Sequence, residues 1–576
     1  MGAWVARMLT VGATLCVLTA VAGCGDRGGD SAKGQGRPAR LASHNVATRT
    51  HGKSPQESWA GPSDDYTPTG PLVADDGFRP RQDGFSFPNY DGQSGAVNLT
   101  PAAMEELFGP DVCSSGVGSS CLLTPVAQQW LAQLNSNLQG GHCYGFSVSV
   151  LRFYAHALSP SVFGAPTVPA LTIQGNDLLQ TEIAEAFITQ AFPSVRAKVI
   201  GGPPRHILGA LVTALKKRRD YYTLGFYKQD GSGGHAITPY AVEQRGGGKF
   251  AALVYDNNHP GKTRAFMFDR EANSWTYDAA ISPSYEESHY QGGAQDHTLE
   301  LHPMSPGLGP QPCPFCGSEN QSGDQHAKGS GRPPTRTQQI ALEGDPSNHG
   351  HLLITDSRGR RTGYVGNKLV KEIPGSRAAF PLMDQNWRVH PEPLYTLPAG
   401  AHVKISVSGG GLARASVGNV SVVRPGRSAA VDGIRVGPGQ RAQLSFGRRL
   451  ATVSYRPGNV VGAAPIVKLG READKADFAA TLKAPVLHGD EPLEIKLDLE
   501  SKAVTVKTPA GAPVHGYSLT LSRLTGVGKQ GFAHGDLSIA PDSKSRLDFG
   551  GFNRDGESLP FSVQSDGGRR STTLSG

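Results

Sequence analysis

Cys143 lies where a reactive thiol could be formed. It follows the glycine pair Gly140-Gly141 and begins an apolar segment with helical spacing. The two glycines permit a tight turn, and a helix N-terminus favours a thiolate over a thiol. The backbone N–H of Cys143 could also stabilise an oxyanion next to the sulfur. These features predict a cysteine nucleophile, with an inert buried thiol as the alternative.

A nucleophilic cysteine needs a base, and His235 is the best placed histidine. His142 is adjacent to Cys143, so its side chain cannot easily face the same point. His156 lies thirteen residues along the same helical segment, about 20 Å away. His206 begins a different helix without an obvious orienting partner. His235 is found where a glycine loop enters a predicted strand, a position from which its ring can face a cleft.

The strand after His235 supplies a group that could orient its ring. Residues 235–244 and 249–258 flank a run of glycines and predict a hairpin. In that hairpin, Asp256 and Asn257 are diagonal neighbours of His235. Asp256 is preferred because an anion stabilises an imidazolium, and Asn257 is the alternative. We expect the Nδ1 proton to go to Asp256, leaving Nε2 for the sulfur. A polar loop or a weak cation site is the alternative for these polar residues.

The first residues predict export. Residues 1–23 contain an early arginine, an apolar stretch and small residues at the end, as in a signal peptide. Val21-Ala22-Gly23-Cys24 resembles a bacterial lipobox, in which the cysteine is lipidated and becomes the first mature residue; an ordinary secretory signal is the alternative. The resemblance implies a lipid-anchored, extracytoplasmic protein of the bacterial cell envelope, with membrane lipid as a partner through Cys24.

Export predicts the state of the other cysteines. In an oxidising compartment, Cys113 and Cys121 are expected to form a disulfide, and Cys313 and Cys316 can pair locally. Cys143 is then the cysteine left over when the disulfides are counted. A zinc site is not expected, because the segment around residues 313–316 offers neither four ligands nor a compact scaffold. The sequence therefore predicts neither a metal nor a cofactor.

Composition divides the chain into several regions and predicts a multidomain protein. Residues 24–85 are polar and glycine-rich, which predicts a disordered tether. Helical patterns followed by strand patterns predict an α+β domain over 86–302. A linker is predicted over 303–345. Alternating segments between turns predict one or two all-β, sandwich-like domains, divided as 346–475 and 476–576. A short helix is considered near residues 471–482.

The net charge of +7 does not predict nucleic-acid binding. The dense basic run Lys216-Lys217-Arg218-Arg219 ends a predicted helix, where cations complement the helix dipole. No basic motif interleaved with aromatic residues accompanies it.

The order and context of Cys143, His235 and Asp256 resemble the papain-like cysteine peptidase fold. The resemblance covers about 200 residues. It implies that Cys143 attacks a carbonyl, His235 acts as base and then acid, and Asp256 orients His235. Papain carries a glutamine oxyanion donor six residues before the cysteine; here that position is Asn137, and Gln139 is nearby.

The resemblance implies an amide hydrolase, a peptidase acting on a peptide or protein through a thioester. In the alternative, the papain-like domain is inactive and the chain is a binding or adhesion lipoprotein. In either case the β-rich half could contact the envelope or a protein partner.

Overall fold

Described residues of the chain belong to a single unit, Ala60–Gly576. The computed structural model describes residues 65–90, 95–229, 233–278, 289–317, 337–345, 347–382, 391–458, 464–487, 489 and 491–576. The predicted signal peptide, Cys24 and the first part of the predicted tether lie outside these ranges.

Proline and threonine set the starts of two helices in the first half. The side chains of Thr100 and Thr124 accept hydrogen bonds from Ala103 N and Ala127 N, and a proline follows each threonine. The longer helices begin where the sequence predicts them. The helices are α1 (Pro80–Asp83), α2 (Pro101–Phe108), α3 (Pro125–Asn137), α4 (Cys143–Tyr154), α5 (Asp177–Ile188), α6 (Pro193–Arg196) and α7 (Pro204–Lys217).

The first half also contains a twisted antiparallel sheet. Its strands follow the order β10-β9-β8-β7-β6-β5-β11-β4, with β1 also paired to β6, and β2 pairs with β3 separately. The strands are β1 (Leu72–Asp75), β2 (Cys113–Ser115), β3 (Leu122–Leu123), β4 (Ile200–Gly201), β5 (Tyr222–Tyr227), β6 (Gly234–Gly246), β7 (Lys249–Tyr255), β8 (Thr263–Asp269), β9 (Ser274–Tyr277), β10 (Tyr290–Gly292) and β11 (Leu299–Pro303).

The described end of the predicted tether is part of this sheet. Strand β1 pairs with β6, and the rings of Phe78 and Phe85 are fully buried. Residues 65–85 therefore belong to the folded part, a correction to the predicted tether. A few aromatic residues and a short edge strand are enough to attach a segment whose average composition is polar.

The described residues of the second half form two large antiparallel sheets, of nine and eleven strands. One apolar cluster contains side chains from both sheets, as in a β-sandwich. The strands are β12 (Thr337–Gly344), β13 (His351–Asp356), β14 (Arg361–Val365), β15 (Lys368–Lys371), β16 (Arg377–Ala379), β17 (Leu394–Pro398), β18 (Val403–Ser408), β19 (Ser416–Arg424), β20 (Arg427–Val436), β21 (Arg441–Phe446), β22 (Thr452–Arg456), β23 (Ile466–Arg471), β24 (Asp477–Lys483), β25 (Leu493–Asp498), β26 (Ala503–Lys507), β27 (Tyr517–Thr525), β28 (Gly528–Leu537), β29 (Lys544–Asp548), β30 (Leu559–Ser565) and β31 (Gly568–Leu574).

The protein is thus mixed α/β and mostly β, consistent with the predicted β-rich, multidomain class. The helix considered near residues 471–482 is wrong: the segment forms the end of β23, a turn and most of β24. Its alternating apolar residues pack in the sheet, which overrides helix propensity. The predicted boundary at 475 lies between β23 and β24, two strands that pair with each other.

Helix α3 joins the two halves. Trp130 Nε1 donates to Gln339 Oε1 at 2.8 Å, and Ser421 Oγ donates to Gln133 Oε1 at 3.1 Å. The ring of Phe315 lies 5.0 Å from that of Trp130. These contacts place α3 against the nine-stranded sheet of the second half.

Both predicted disulfides are present, one between Cys113 and Cys121 and one between Cys313 and Cys316. In the part of the chain that the structure describes, no helix combines the length and apolar character needed to cross a bilayer.

Candidate functional site

Cys143 is the first residue of α4, as the sequence predicts. Gly141 has a φ of +120°, a backbone conformation that favours glycine, and His142 occupies the N-cap position. The Cys143 N–H is among those that have no acceptor within the helix. Cys143 is not in a disulfide, and its side chain is fully buried. The local backbone therefore has the helix start that the nucleophile hypothesis needs, with the thiol closed off from solvent.

Both ring nitrogens of His142 contact groups other than the Cys143 sulfur, so His142 is not the base. Its Nδ1 lies 2.9 Å from Tyr90 O, and its Nε2 lies 2.9 Å from Asn98 Oδ1. Asn89 Oδ1 accepts a hydrogen bond from the His142 N–H at 3.0 Å. Both ring nitrogens thus face groups of the segment before α2, which agrees with the sequence argument against this histidine.

His235 and Asp256 form a buried pair. His235 Nε2 lies 2.9 Å from Asp256 Oδ1, and both side chains are fully buried. Strands β6 and β7 form the predicted hairpin, and Thr238 pairs with Tyr255 in it. Continuing that register places residue 235 across from residue 258, with Asp256 on the diagonal. Two residues that are 21 apart in sequence therefore meet as expected.

The ring of His235 is turned the other way from the prediction. Asp256 contacts Nε2, so Nδ1 is the nitrogen that Asp256 leaves for another partner. Strand register fixes which residues are neighbours but not the rotation of an imidazole about its χ2 angle. The expected assignment of Nδ1 to the carboxylate is wrong, whereas the pairing of the two residues is observed.

The surroundings of Asp256 favour its charged form. Burial alone would raise the pKa of this carboxyl, but the charge of His235 and the hydrogen bond with it lower the pKa well below its usual range. Tyr277 donates its hydroxyl proton to Asp256 Oδ2 at 2.6 Å, and the Asn258 N–H donates to Oδ1 at 2.9 Å. A buried carboxylate held by such donors can orient an imidazole and stabilise its protonated form.

Asn257, the alternative to Asp256 in the sequence, has a different position. Its Nδ2 donates to Ala236 O at 2.8 Å and lies 3.1 Å from Cys143 O. Ser147 Oγ, one turn further along α4, also donates to Ala236 O at 3.1 Å. Asn257 therefore connects the residue after His235 to the backbone of Cys143 and joins the helix start to the sheet.

The two residues considered as oxyanion donors lie before the turn into α4. Asn137 is the last residue of α3 and is half-buried, and Gln139 lies in a short 3₁₀ turn with an exposed side chain. Because Cys143 is fully buried, an exposed Gln139 is a poor candidate for a group facing the thiol.

The sequence does not predict the group that lies against the thiol. Cys143 Sγ is 3.9 Å from Leu382 O, a carbonyl from the second half of the chain. Gln190 Oε1 accepts a hydrogen bond from the Leu382 N–H at 2.6 Å. The two partners of the Cys143 contact are 239 residues apart, and no local pattern in the sequence could reveal them.

The other predicted site residues lie elsewhere. Cys24 is outside the described residues. Glu105 stands close to Cys113 and Cys121 in a grouping of metal-ligand type, but the two sulfurs are bonded to each other. Disulfide sulfurs are not thiolates, so this grouping is not a metal centre.

No known family model, curated protein or solved structure matches this chain. The chemistry of the site must therefore be argued from its own geometry. A buried His–Asp pair beside a helix that begins with cysteine has the components of nucleophilic acyl transfer.

Proposed function

We propose that this protein is a cysteine hydrolase that cleaves amide bonds in peptides by papain-like chemistry. The observation that carries the proposal is the buried His235–Asp256 pair, held next to the start of α4 by Asn257. Three residue types with matching roles, far apart in sequence, are grouped around one junction of helix and sheet. The α+β arrangement of the first half supports a papain-like fold.

The proposed reaction has two steps. The Cys143 sulfur attacks the amide carbonyl carbon, and its proton passes to His235. His235 protonates the leaving amine as the carbon–nitrogen bond breaks, which leaves a thioester on Cys143. Water, deprotonated by His235, then hydrolyses the thioester and restores the thiol. Asp256 keeps the His235 ring oriented and stabilises its cationic form, and the Cys143 N–H lies where an oxyanion would develop.

The predicted lipid anchor gives the proposal a cellular setting. A signal peptide ending in a lipobox-like sequence supports an extracytoplasmic enzyme attached to the bacterial envelope through Cys24. The β-rich second half would then place the hydrolase on a substrate or envelope partner.

Thiol reactivity tests the proposal. The rate at which iodoacetamide alkylates Cys143 should fall less from alkaline to acidic pH than the rate of an ordinary thiol, because a partner histidine keeps the sulfur ionised. His235→Ala should restore the pH dependence of an ordinary thiol. His206→Ala is the matched control, because His206 is exposed at the start of α7. Release of fluorophore from a peptide-amide library should likewise disappear in Cys143→Ala. A wild-type rate that falls with pH as steeply as that of a free thiol would count against the nucleophile.

One observation favours a second candidate function. Cys143, His235 and Asp256 are all fully buried, and a carbonyl of the same chain lies against the sulfur. A binding or adhesion lipoprotein with an inactive papain-like domain would tolerate such closure permanently. In that case His235→Ala would not change the alkylation of Cys143, neither the wild type nor Cys143→Ala would hydrolyse peptides, and binding to envelope material would persist.

A further inference from the structure

A short segment of the second half enters the candidate site. Residues 380–382 follow strand β16 and lead to Leu382, whose side chain is fully buried. Leu382 belongs to the same apolar cluster as Cys143, Tyr144 and Ala236 of the first half. The segment therefore reaches across the boundary between the halves and ends against the proposed nucleophile.

The backbone of this segment is held as an extended peptide ligand would be held. The Leu382 N–H donates to Gln190 Oε1 at 2.6 Å, and the Gln190 amide is itself fixed by donation to Phe187 O at 3.0 Å. The Tyr227 hydroxyl lies 3.4 Å from Phe380 O and 3.3 Å from Glu300 Oε2. Cys143 Sγ approaches the Leu382 carbonyl oxygen at 3.9 Å. The main-chain contacts depend little on the bound sequence.

The side chain of Leu382 fills a space that exists because residue 225 is glycine. A β-carbon on Gly225 would lie only 2.6 Å from Leu382 Cδ1 and 3.1 Å from Cδ2. Strand β5 cannot easily retreat, because Gly225 pairs with Ala236 on one side and with Glu300 on the other. The missing side chain thus forms a pocket of a size that accepts a branched aliphatic residue.

We infer that Gln190, Gly225, Tyr227 and Cys143 form a binding groove for an extended peptide. The residue of that peptide whose carbonyl meets the thiol carries a leucine-like side chain. In the resting protein, residues 380–382 occupy this groove. The inference rests on the proposed function, and it names its substrate class. Leucine-containing peptides compete with Leu382 for the pocket, and the bound segment explains why Cys143 is inaccessible.

Alkylation of Cys143 in the full chain tests the occupancy. Iodoacetamide forms a sulfur–carbon bond with loss of iodide, and peptide mass spectrometry locates the label on Cys143. Leu382→Ala should raise the rate by at least about ten-fold, because it weakens the closed state. Leu412→Ala is the matched control, a leucine truncation beside the β-sandwich core, and should leave the rate unchanged. An unchanged rate in a folded Leu382→Ala protein overturns the inference.

A second variant protects the test from a folding defect. Tyr227→Phe removes only the hydroxyl, which lies beside both Phe380 O and Glu300 Oε2, and should also raise the alkylation rate, by a smaller factor. If Leu382→Ala does not fold, the result for Tyr227→Phe decides: acceleration supports the occupancy, and an unchanged rate overturns it.

A peptide aldehyde tests the pocket itself. The Cys143 thiol adds across the aldehyde carbonyl, so that a sulfur–carbon bond forms, the thiol proton goes to oxygen and nothing is oxidised. In Leu382→Ala, acetyl-Phe-Pro-leucinal should protect Cys143 from alkylation at about ten-fold lower concentration than the aspartyl aldehyde. Gly225→Ala added to that variant should remove the preference, because the new methyl group occupies the pocket. Equal protection by both aldehydes in Leu382→Ala overturns the leucine preference.

The outcomes separate this inference from the proposed function. Faster alkylation of Leu382→Ala without any peptide hydrolysis retains the groove and rejects the hydrolase. Hydrolysis by the wild-type protein that Leu382→Ala leaves unchanged retains the hydrolase and rejects the occupied groove.

Discussion

The two halves of the molecule bury their side chains in different ways. The described apolar residues of the first half fall into three clusters, one of which also includes Leu382 and Val423 of the second half. Buried or partly buried polar pairs occur in both halves, such as His235 with Asp256 in the first and His351 with Glu392 in the second. The second half forms one apolar cluster that extends through both sheets. Buried charges stabilise a protein little by themselves, but they are the groups that do chemistry. The proposed chemistry uses the His235–Asp256 pair of the first half, whereas the two large sheets of the second half share one packed core.

The largest expected effect comes from breaking the ion pair between α4 and α5. Arg152 Nη1 lies 2.7 Å from Glu182 Oε1, and both side chains are less than a tenth exposed. Arg152→Met should destabilise the protein by about 3–5 kcal/mol, because it leaves the buried Glu182 without its ion pair. Urea unfolding followed by the fluorescence of Trp130 and Trp275 measures the loss. The double variant with Glu182→Leu should recover most of it, and a double variant as unstable as the single one would refute this explanation.

A truncation in the second half should be smaller in its effect and should not reach the site. Ile354 on β13 is fully buried in the β-sandwich cluster. Ile354→Ala should reduce the free energy of unfolding by about 2–4 kcal/mol, with Ile354→Val at about 1 kcal/mol as the graded control. The alkylation rate of Cys143 should not change. A changed rate would show that packing in the second half affects the proposed site in the first.

The buried carboxyl group of Glu185 on α5 gives a pH-dependent test in the first half. Burial, followed by the charges of Glu182 and Glu106, raises the pKa of Glu185 to about 8 from its usual 4.5. The folded protein binds this proton more tightly than the unfolded chain. The resulting loss of stability is absent below the unfolded pKa and grows as the pH rises toward the folded one.

Glu185→Gln should therefore be neutral at about pH 4 and should stabilise the protein increasingly as the pH rises to about 8. Thermal unfolding across that range measures the difference from wild type. The exposed Glu271→Gln is the control, and it should give a flat profile. A flat profile for Glu185→Gln would show that this carboxyl is not held protonated.

The smallest effect is expected from Gln139. Its side chain is exposed, so Gln139→Ala should change stability by no more than about 0.5 kcal/mol. Peptide hydrolysis, measured as kcat/KM, should stay within about two-fold of wild type. A loss of about a hundred-fold in kcat would show that the side chain turns inward to an oxyanion during the reaction.

Local patterns predicted much of the first half. Threonine–proline pairs and flanking glycines located α2, α3 and the start of α4, since caps and turns depend on only a few adjacent residues. Counting along a hairpin placed Asp256 next to His235, since strand pairing is periodic. The rotation of the His235 ring could not be counted in the same way.

Contacts formed by distant parts of the chain could not be predicted. Leu382 lies in a segment without a distinctive pattern, and only the complete fold brings it to Cys143. The pocket at Gly225 also depends on an absent side chain, which a sequence shows only as one glycine among 74. The segment 471–482 forms strands because the sheet around it supplies partners that local propensity does not include.

Because Leu382 belongs to the same chain as Cys143, its local concentration does not fall when the protein is diluted. A short tether corresponds to an effective concentration of about a millimolar, so a peptide at micromolar concentration must bind about a thousand-fold more tightly than Leu382 to displace it from half of the molecules. This threshold depends on how firmly α3 holds the halves together through Trp130 and Gln339. Any event that loosens this contact, including a partner bound to the β-sandwich, lowers the local concentration of Leu382. The contact between the halves would then set the peptide concentration at which Cys143 becomes accessible.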